Sequence, residues 1–337
     1  MDIQNQQTVK RKKSFFQNET GLMWQSKPFL YTAGIVLLLA LPLLIKNSYT
    51  LHILILSLLF AVLALSWNLL VGYAGIFSFG HHAFFGLGAY VSALGSMKLG
   101  ISPWLGLVLG GLAAALAGLV VSLPVLRLRA APYIAIVTLA FAEIIKLVAS
   151  NLVDLTRGEL GLNGIESFDK IGPISFTLAH RENSYYLILL IMLLTVFVIY
   201  KIMKGPTGFA LKAIRESQDA AESLGVNVTR YKLFAFVVSS CLAGVAGSFY
   251  AHYIHTLTPT SVMNIDVMMQ ILVITLIGGL GTMIGPIVGS MVLVIGLEYM
   301  RFLGDYRMLI YGALLVVVIL FLPEGFMRKL FPKAKEL

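Results

Sequence analysis

The residues best placed to do chemistry in this chain are charged or titratable groups embedded in apolar runs. Glu143 and Lys146 lie three apart in LAFAEIIKLVAS, and Glu298 and Arg301 lie three apart in VIGLEYMRFL. A charge at the centre of a bilayer costs at least about 2.5–3.5 kcal/mol, so such groups are paired, lie near an interface, or serve a pathway. Residues three apart share one side of a helix. Two readings follow: two local ion pairs reaching outward near the interface, or a charged ring around the outer mouth that gates a translocation path. His81 and His82, in FSFGHHAFFGLGAY, form the third candidate. Adjacent helical residues point to different sides, so the pair is a poor metal ligand set. It serves either as hydrogen-bonding groups where glycines 80, 86 and 88 break the helix, or as part of the path.

Other chemistry lacks its parts. The sequence holds no GxxxxGK[ST] phosphate loop, no HExxH pair and no GxSxG elbow. Cys241 is the single cysteine, which excludes an intrachain disulfide and a cysteine metal framework. No catalytic residue and no metal ligand is assigned, and no cofactor is expected in this chain.

The elements that position these groups follow from composition. Of 337 residues, 58% are hydrophobic and 12% charged, about half the charged share of a soluble domain. Mean hydropathy is +0.87. A soluble enzyme, a disordered chain and a nucleic-acid-binding protein are all poor fits. The net charge of +9 reads as the lysine and arginine excess of a cytoplasmic face, since no compact basic surface remains once the spans are removed. The fold class expected is an all-α polytopic membrane protein.

A span needs about 20 mostly apolar residues, and ten candidates meet that rule: 29–45, 50–71, 79–97, 103–123, 131–150, 184–203, 233–252, 265–284, 286–303 and 307–323. Glycine-broken stretches at 72–90 and 265–290 are candidates for re-entrant segments. Alternating ten-residue strands are absent, which argues against a barrel. The basic segments 1–28, 127–129, 201–232 and 328–335 fall on one side, so both termini are expected in the cytoplasm. The organisation expected is a basic N-terminal segment 1–28, a transmembrane domain 29–323 and a C-terminal tail 324–337. Two loops exceed connector length: an outer cap at 151–183 and a cytoplasmic loop at 204–232.

Small residues form a second pattern. Gly106, Gly110, Ala114 and Gly118 step by four, as do Gly281, Gly285 and Gly289 across an expected break at Pro286. Such ladders let helix backbones approach closely. The GxxG pairs Gly72/Gly75 and Gly278/Gly281 also resemble the interrupted helices of transporters built from repeats.

The cytoplasmic loop carries the most specific signal. Residues 210–224, ALKAIRESQDAAESL, predict one short amphipathic helix with Lys212, Arg215 and Glu216 on one face, Leu211, Ile214 and Leu224 near another, and Gly225 as its C-terminal cap. Asp219-Ala220-Ala221 followed by Gly225 resembles the EAAxxxG loop of binding-protein-dependent ABC importer permeases, with Asp in place of Glu. The strings AIRESQDAAESLGVNVTRYKLFAFVVSSCLAGVAGSFYA, NLLVGYAGIFSFGHHAFFGLGAY, LTRGELGLNGI and IGGLGTMIGPIVG resemble the branched-chain amino acid branch of that family, most of all its LivM-type subunits. The resemblance covers about residues 50–325.

What it implies is a coupling helix, with Arg215, Glu216, Asp219, Ala220, Ala221 and Gly225 docking into an ATPase subunit. It further implies a second homologous permease chain, two ABC ATPase subunits that bind ATP and Mg, and an extracytoplasmic substrate-binding protein meeting the outer cap. The setting implied is a bacterial inner membrane. Permeases for urea, short amides or sugars share related patterns, so the substrate class stays open at this point. The reading from another class is an ion-gradient-driven carrier using Glu143 and Glu298.

Overall fold

The structure is a computed structural model, and it describes residues 34, 36–45, 47–128, 131–170, 172–177, 180–304, 306, 312, 313 and 316. The basic segment 1–28, the tail 324–337 and most of the expected span 307–323 lie outside the described residues. The chain divides into two compact units, 1–51 and 52–337. In the first, residues 36–44 are helical, and Ile45 N–H closes the last turn on Leu41 O at 3.0 Å.

The second unit is a helical bundle. It holds the greater part of α1 (Ser48–Asn68), then α2 (His81–Leu99), α3 (Pro103–Val125), α4 (Ala131–Asn151) and α6 (Arg181–Lys204). A four-residue helix, α5 (Val153–Thr156), separates α4 from α6. There follow α7 (Pro206–Glu216), α8 (Gln218–Ser223), α9 (Val228–Ile254), α10 (Pro259–Val262), α11 (Ile265–Gly278) and α12 (Gly285–Tyr299). Pro103, Pro206, Pro259 and Pro286 all sit in the first turn of a helix, where the missing N–H has no intrahelical partner to lose. Asn227 and Thr258 cap α9 and α10 through their side chains.

Among the described residues seven helices are long and apolar enough to cross a membrane; of the other three candidate spans, 29–45 lies partly and 307–323 mostly outside the described residues. The expected span 79–97 is present as α2 but does not qualify by composition, because His81, His82, Lys98 and its glycines and serines dilute it. Burial explains how that is tolerated: α2 packs against α3 and α9 and faces protein along most of its length. Two candidate boundaries also move. The expected span 265–284 ends at Gly278, and α12 begins at Gly285. The break therefore precedes Pro286 instead of falling on it.

The α3 ladder finds a matching ladder that the sequence reading did not single out. A Cβ added at Gly118 would lie 2.1 Å from Ser240 Oγ, and one at Gly110 2.0 Å from Ser248 Oγ. A Cβ on Gly244 would lie 2.4 Å from that of Ala114. Ser240, Gly244 and Ser248 step by four along α9, antiparallel to Gly118, Ala114 and Gly110. On α2, a Cβ at Gly88 would lie 2.2 Å from Gly244 O, and one at Gly247 1.8 Å from Phe85 O. Helices α2, α3 and α9 thus touch backbone to backbone, the arrangement small residues permit where lipid supplies no hydrophobic drive for helices to associate. Gly285 and Gly289 do the same for α12 against Gly278 and Ile274, whereas Gly281 stands in the break outside any helix.

The segment expected as an outer cap is folded without a long helix. Leu162–Asn163 pairs antiparallel with Thr256–Leu257 beyond the end of α9, with Leu162 opposite Leu257. Trp104, Phe168, Phe176 and Phe249 cluster beneath it. His252 joins helix to cap: Nδ1 lies 2.7 Å from Glu166 O and Nε2 2.8 Å from Ser92 Oγ. The cap and the α7–α8 loop stand at opposite ends of α6 and α9.

Candidate functional site

Two helix interruptions meet at the end of the bundle that carries α7 and α8. After Asn68 the helix widens into a π-helical turn, Leu69–Tyr73, and the chain then runs non-helically to Gly80. Such a bulge inside a helix leaves backbone groups to be satisfied from outside. The second interruption is 279–284, where Gly279 (φ 104°) and Gly281 (φ 75°) take the positive φ that glycine tolerates.

Asn68 clamps the two together. Its Oδ1 accepts from Gly281 N–H at 2.8 Å, and its Nδ2 donates to Thr282 O at 2.8 Å. The side chain is buried, so these bonds are its means of offsetting desolvation. Contact at Gly72 is backbone-close: an added Cβ would lie 2.0 Å from Asn68 Oδ1 and 2.6 Å from Gly281 N.

Arg215, in the last turn of α7, completes the junction. Its Nη1 donates to Gly72 O, and its side chain stem and Cα lie against Gly75. An added Cβ on Gly281 would lie 2.9 Å from the same Nη1. One guanidinium therefore contacts both interruptions, holding a carbonyl that the widened turn exposes. Charge-assisted hydrogen bonds of this kind are about twice as strong as neutral ones. Movement of α7 would pull directly on the segments joining α1 to α2 and α11 to α12.

The loop itself departs from the single amphipathic helix expected over 210–224. Ser217 is extended (φ −158°, ψ 111°) and splits it into α7 and α8; its side chain accepts from Ala220 N–H and caps α8. Gly225, at φ 84°, donates its N–H to Glu222 O at 2.9 Å and ends the second helix as expected. The split changes the helical phase. Leu211 and Ile214 are buried, but Leu224 is 85% exposed instead of joining them. Ala221 is also buried, packed with Ile214 and Val228, so it holds the loop together from within. Glu216, Asp219, Ala220 and Gly225 are exposed and form, with Leu224, the outward surface of the loop. Lys232 reaches back to Gln218 Oε1 at 2.7 Å, tying α9 to α8.

The charged candidates lie elsewhere. Lys146 Nζ is 3.7 Å from Glu143 Oε2, and Arg301 Nη1 is 3.2 Å from Glu298 Oε1. Both contacts join residues three apart in sequence. The histidines diverge: His81 Nε2 lies 2.9 Å from Ser239 Oγ, which in turn donates to Ser66 O at 2.5 Å. His81 thereby ties α2 to α9 and α1, while His82 occupies another face. The segment between them and the π-helical turn is pinned by Trp67 Nε1 donating to Ser78 O at 2.7 Å and Phe79 N–H donating to Thr138 Oγ1 at 2.9 Å. Asn68 was absent from the sequence candidates. Its signal was available: a carboxamide in an apolar helix, one turn before a GxxG pair.

Residues 49–319 match the family model described as "Branched-chain amino acid transport system / permease component". The chain is 32% identical over 335 residues to the high-affinity branched-chain amino acid transport system permease protein LivM of Escherichia coli (strain K12), covering 94% of this chain and 78% of that protein. It is 24% identical over 287 residues to the corresponding LivH protein of the same strain, covering 80% and 91%. A probable branched-chain amino acid transport permease protein LivM of Methanocaldococcus jannaschii is 21% identical over 318 residues. No solved structure matches.

Proposed function

We propose that this chain, which belongs to the branched-chain amino acid transport permease family, is one membrane-spanning half of an ATP-driven importer for branched-chain or other apolar amino acids. In this reading a second, homologous permease chain completes the pathway. Two ATPase subunits bind ATP and Mg on the side of α7 and α8, and a substrate-binding protein docks on the cap at 151–183. Both termini and the α7–α8 loop are cytoplasmic, and the membrane is the bacterial inner membrane.

The observation that carries the coupling is the contact of Arg215 with Gly72 O, beside Gly281. A ligand shifts a two-state equilibrium only through different contacts in the two states. ATP, closing the partner subunits on the exposed surface of Glu216, Asp219, Ala220 and Leu224, would supply that difference. Arg215 would carry the resulting displacement of α7 to both helix interruptions, and the Asn68 clamp would make them move as one.

The test is purification of the tagged chain from its host in mild detergent, with mass spectrometry of bound proteins and assay of ATP-dependent leucine uptake after reconstitution. Stoichiometric ATPase chains, a second permease and uptake that requires the binding protein are expected. A chain that purified alone and moved solute under an ion gradient would overturn the proposal. Uptake of urea, a short amide or a sugar in place of leucine would retain the coupling and replace the substrate class.

A further inference from the structure

His82 and Tyr90 lie eight residues apart on α2, with Gly86 midway, so the three share one face of the helix at successive i,i+4 positions. Both polar side chains are buried, His82 at 0% exposure and Tyr90 at 4%. Neither ring nitrogen of His82 and not the Tyr90 hydroxyl reaches a hydrogen-bond partner among the described residues. The Phe79 backbone approaches the His82 ring without meeting hydrogen-bonding geometry. Leaving such a group unsatisfied forfeits its hydration with nothing in return. A packed bundle would ordinarily place leucine and phenylalanine there instead. Two unsatisfied groups on one face point to a polar occupant.

The surroundings say what that occupant is. Gly86, between the two groups, is covered by Met263: an added Cβ would lie 2.3 Å from Met263 Cγ and 2.7 Å from its Cε. Met263 is buried and follows directly on α10, which packs against α2, α4 and the turn at 158–160. A flexible thioether is well suited to fill a space that must open. Both signs of charge stand on the elements around this face: Lys146 on α4, which packs against α2, and Glu159 in the turn at 158–160, which packs against α4 and α10. Along the axis the two polar groups are separated by about 12 Å, at 1.5 Å per residue. That exceeds one amino acid's reach between its carboxylate and ammonium, so the groups are successive stations.

We infer that the His82–Gly86–Tyr90 face of α2 lines the path of a zwitterionic apolar amino acid, with Met263 seated on Gly86 as its closed gate. The inference rests on the importer reading above. The station at Tyr90 takes the ammonium group through the hydroxyl oxygen. The station at His82 takes the carboxylate through a ring N–H. Met263 must leave Gly86 for the solute to pass between them.

The experiment uses the reconstituted complex with its native partners. Tyr90→Phe and His82→Leu each remove an unsatisfied polar group, so thermal stability should hold or rise while ATP-dependent leucine uptake falls at least tenfold. A structural role would instead lower the melting temperature together with uptake. In a Cys241→Ala background, Met263→Cys should react with a membrane-impermeant methanethiosulfonate at least tenfold faster during turnover with leucine and ATP than at rest. Wild-type uptake in Tyr90→Phe and His82→Leu, or equal labelling at rest and in turnover, would overturn the inference. Failure of the wild-type complex to take up leucine with ATP would instead count against the importer reading.

Discussion

Replacing Asn68 by leucine is the perturbation that isolates the junction. Leucine has the same branched shape and number of heavy atoms and suits the apolar helix, so α1 itself should form. What it removes is the acceptor for Gly281 N–H and the donor for Thr282 O, each at 2.8 Å. A buried group left without its partner costs about 1–3 kcal/mol. Gly281 and Thr282 are half-buried, so the lower end applies to each, giving about 2 kcal/mol for the pair. At about 1.4 kcal/mol per factor of ten, the clamped arrangement loses about 30-fold in population relative to an unclamped one. The assay is the ratio of leucine taken up to ATP hydrolysed in proteoliposomes containing the whole complex. That ratio should fall by an order of magnitude while the subunits still co-purify. Asn68→Asp keeps the acceptor and loses the donor, so its loss should be intermediate. An Asn68→Leu complex whose ratio stays within twofold of the parent would refute the reasoning, because the two interruptions would then not need to move together.

Other outcomes follow from the same contacts. Arg215→Gln loses the charge-assisted bond to Gly72 O, so uptake should fall steeply while ATP hydrolysis persists, measured as the same ratio. Gly247→Ala places a Cβ 1.8 Å from Phe85 O, a backbone clash that no rotamer relieves; it should lower the yield of folded protein and its melting temperature. Gly225→Ala has open space but a φ of 84°, so it should cost only about 1–2 kcal/mol and leave the complex assembled. Because Glu143–Lys146 and Glu298–Arg301 are local pairs, the exchange Glu143→Arg with Arg301→Glu should show additive effects in a double-mutant cycle; mutual rescue would indicate pairing across the mouth.

Hydropathy made the membrane class and most helices legible, because a span must satisfy its backbone internally and face lipid with apolar side chains. Helix ends were harder. No charged residue falls in 278–285, so the interruption there is marked only by Thr282 and by glycines whose φ is invisible in the sequence. The loop was misphased for a related reason. Ser217 reads as a neutral helix residue, yet its extended conformation restarts the count and turns Leu224 outward. The ladder Ser240, Gly244 and Ser248 carried the same four-residue step as its partner on α3, but serine is less conspicuous than glycine in a helix rich in small residues. Asn68 shows the clearest limit: a polar side chain in a span demands a partner, but its partner lies more than 200 residues away.

The coupling claim is tested most directly at Leu224, which is 85% exposed on the loop. A photo-crosslinking amino acid placed there in the intact complex should capture an ATPase subunit, whereas one placed at Leu160, 82% exposed at the cap end, should capture none. Adducts of Leu224 with lipid alone, or an ATPase adduct from Leu160 in its place, would contradict the account.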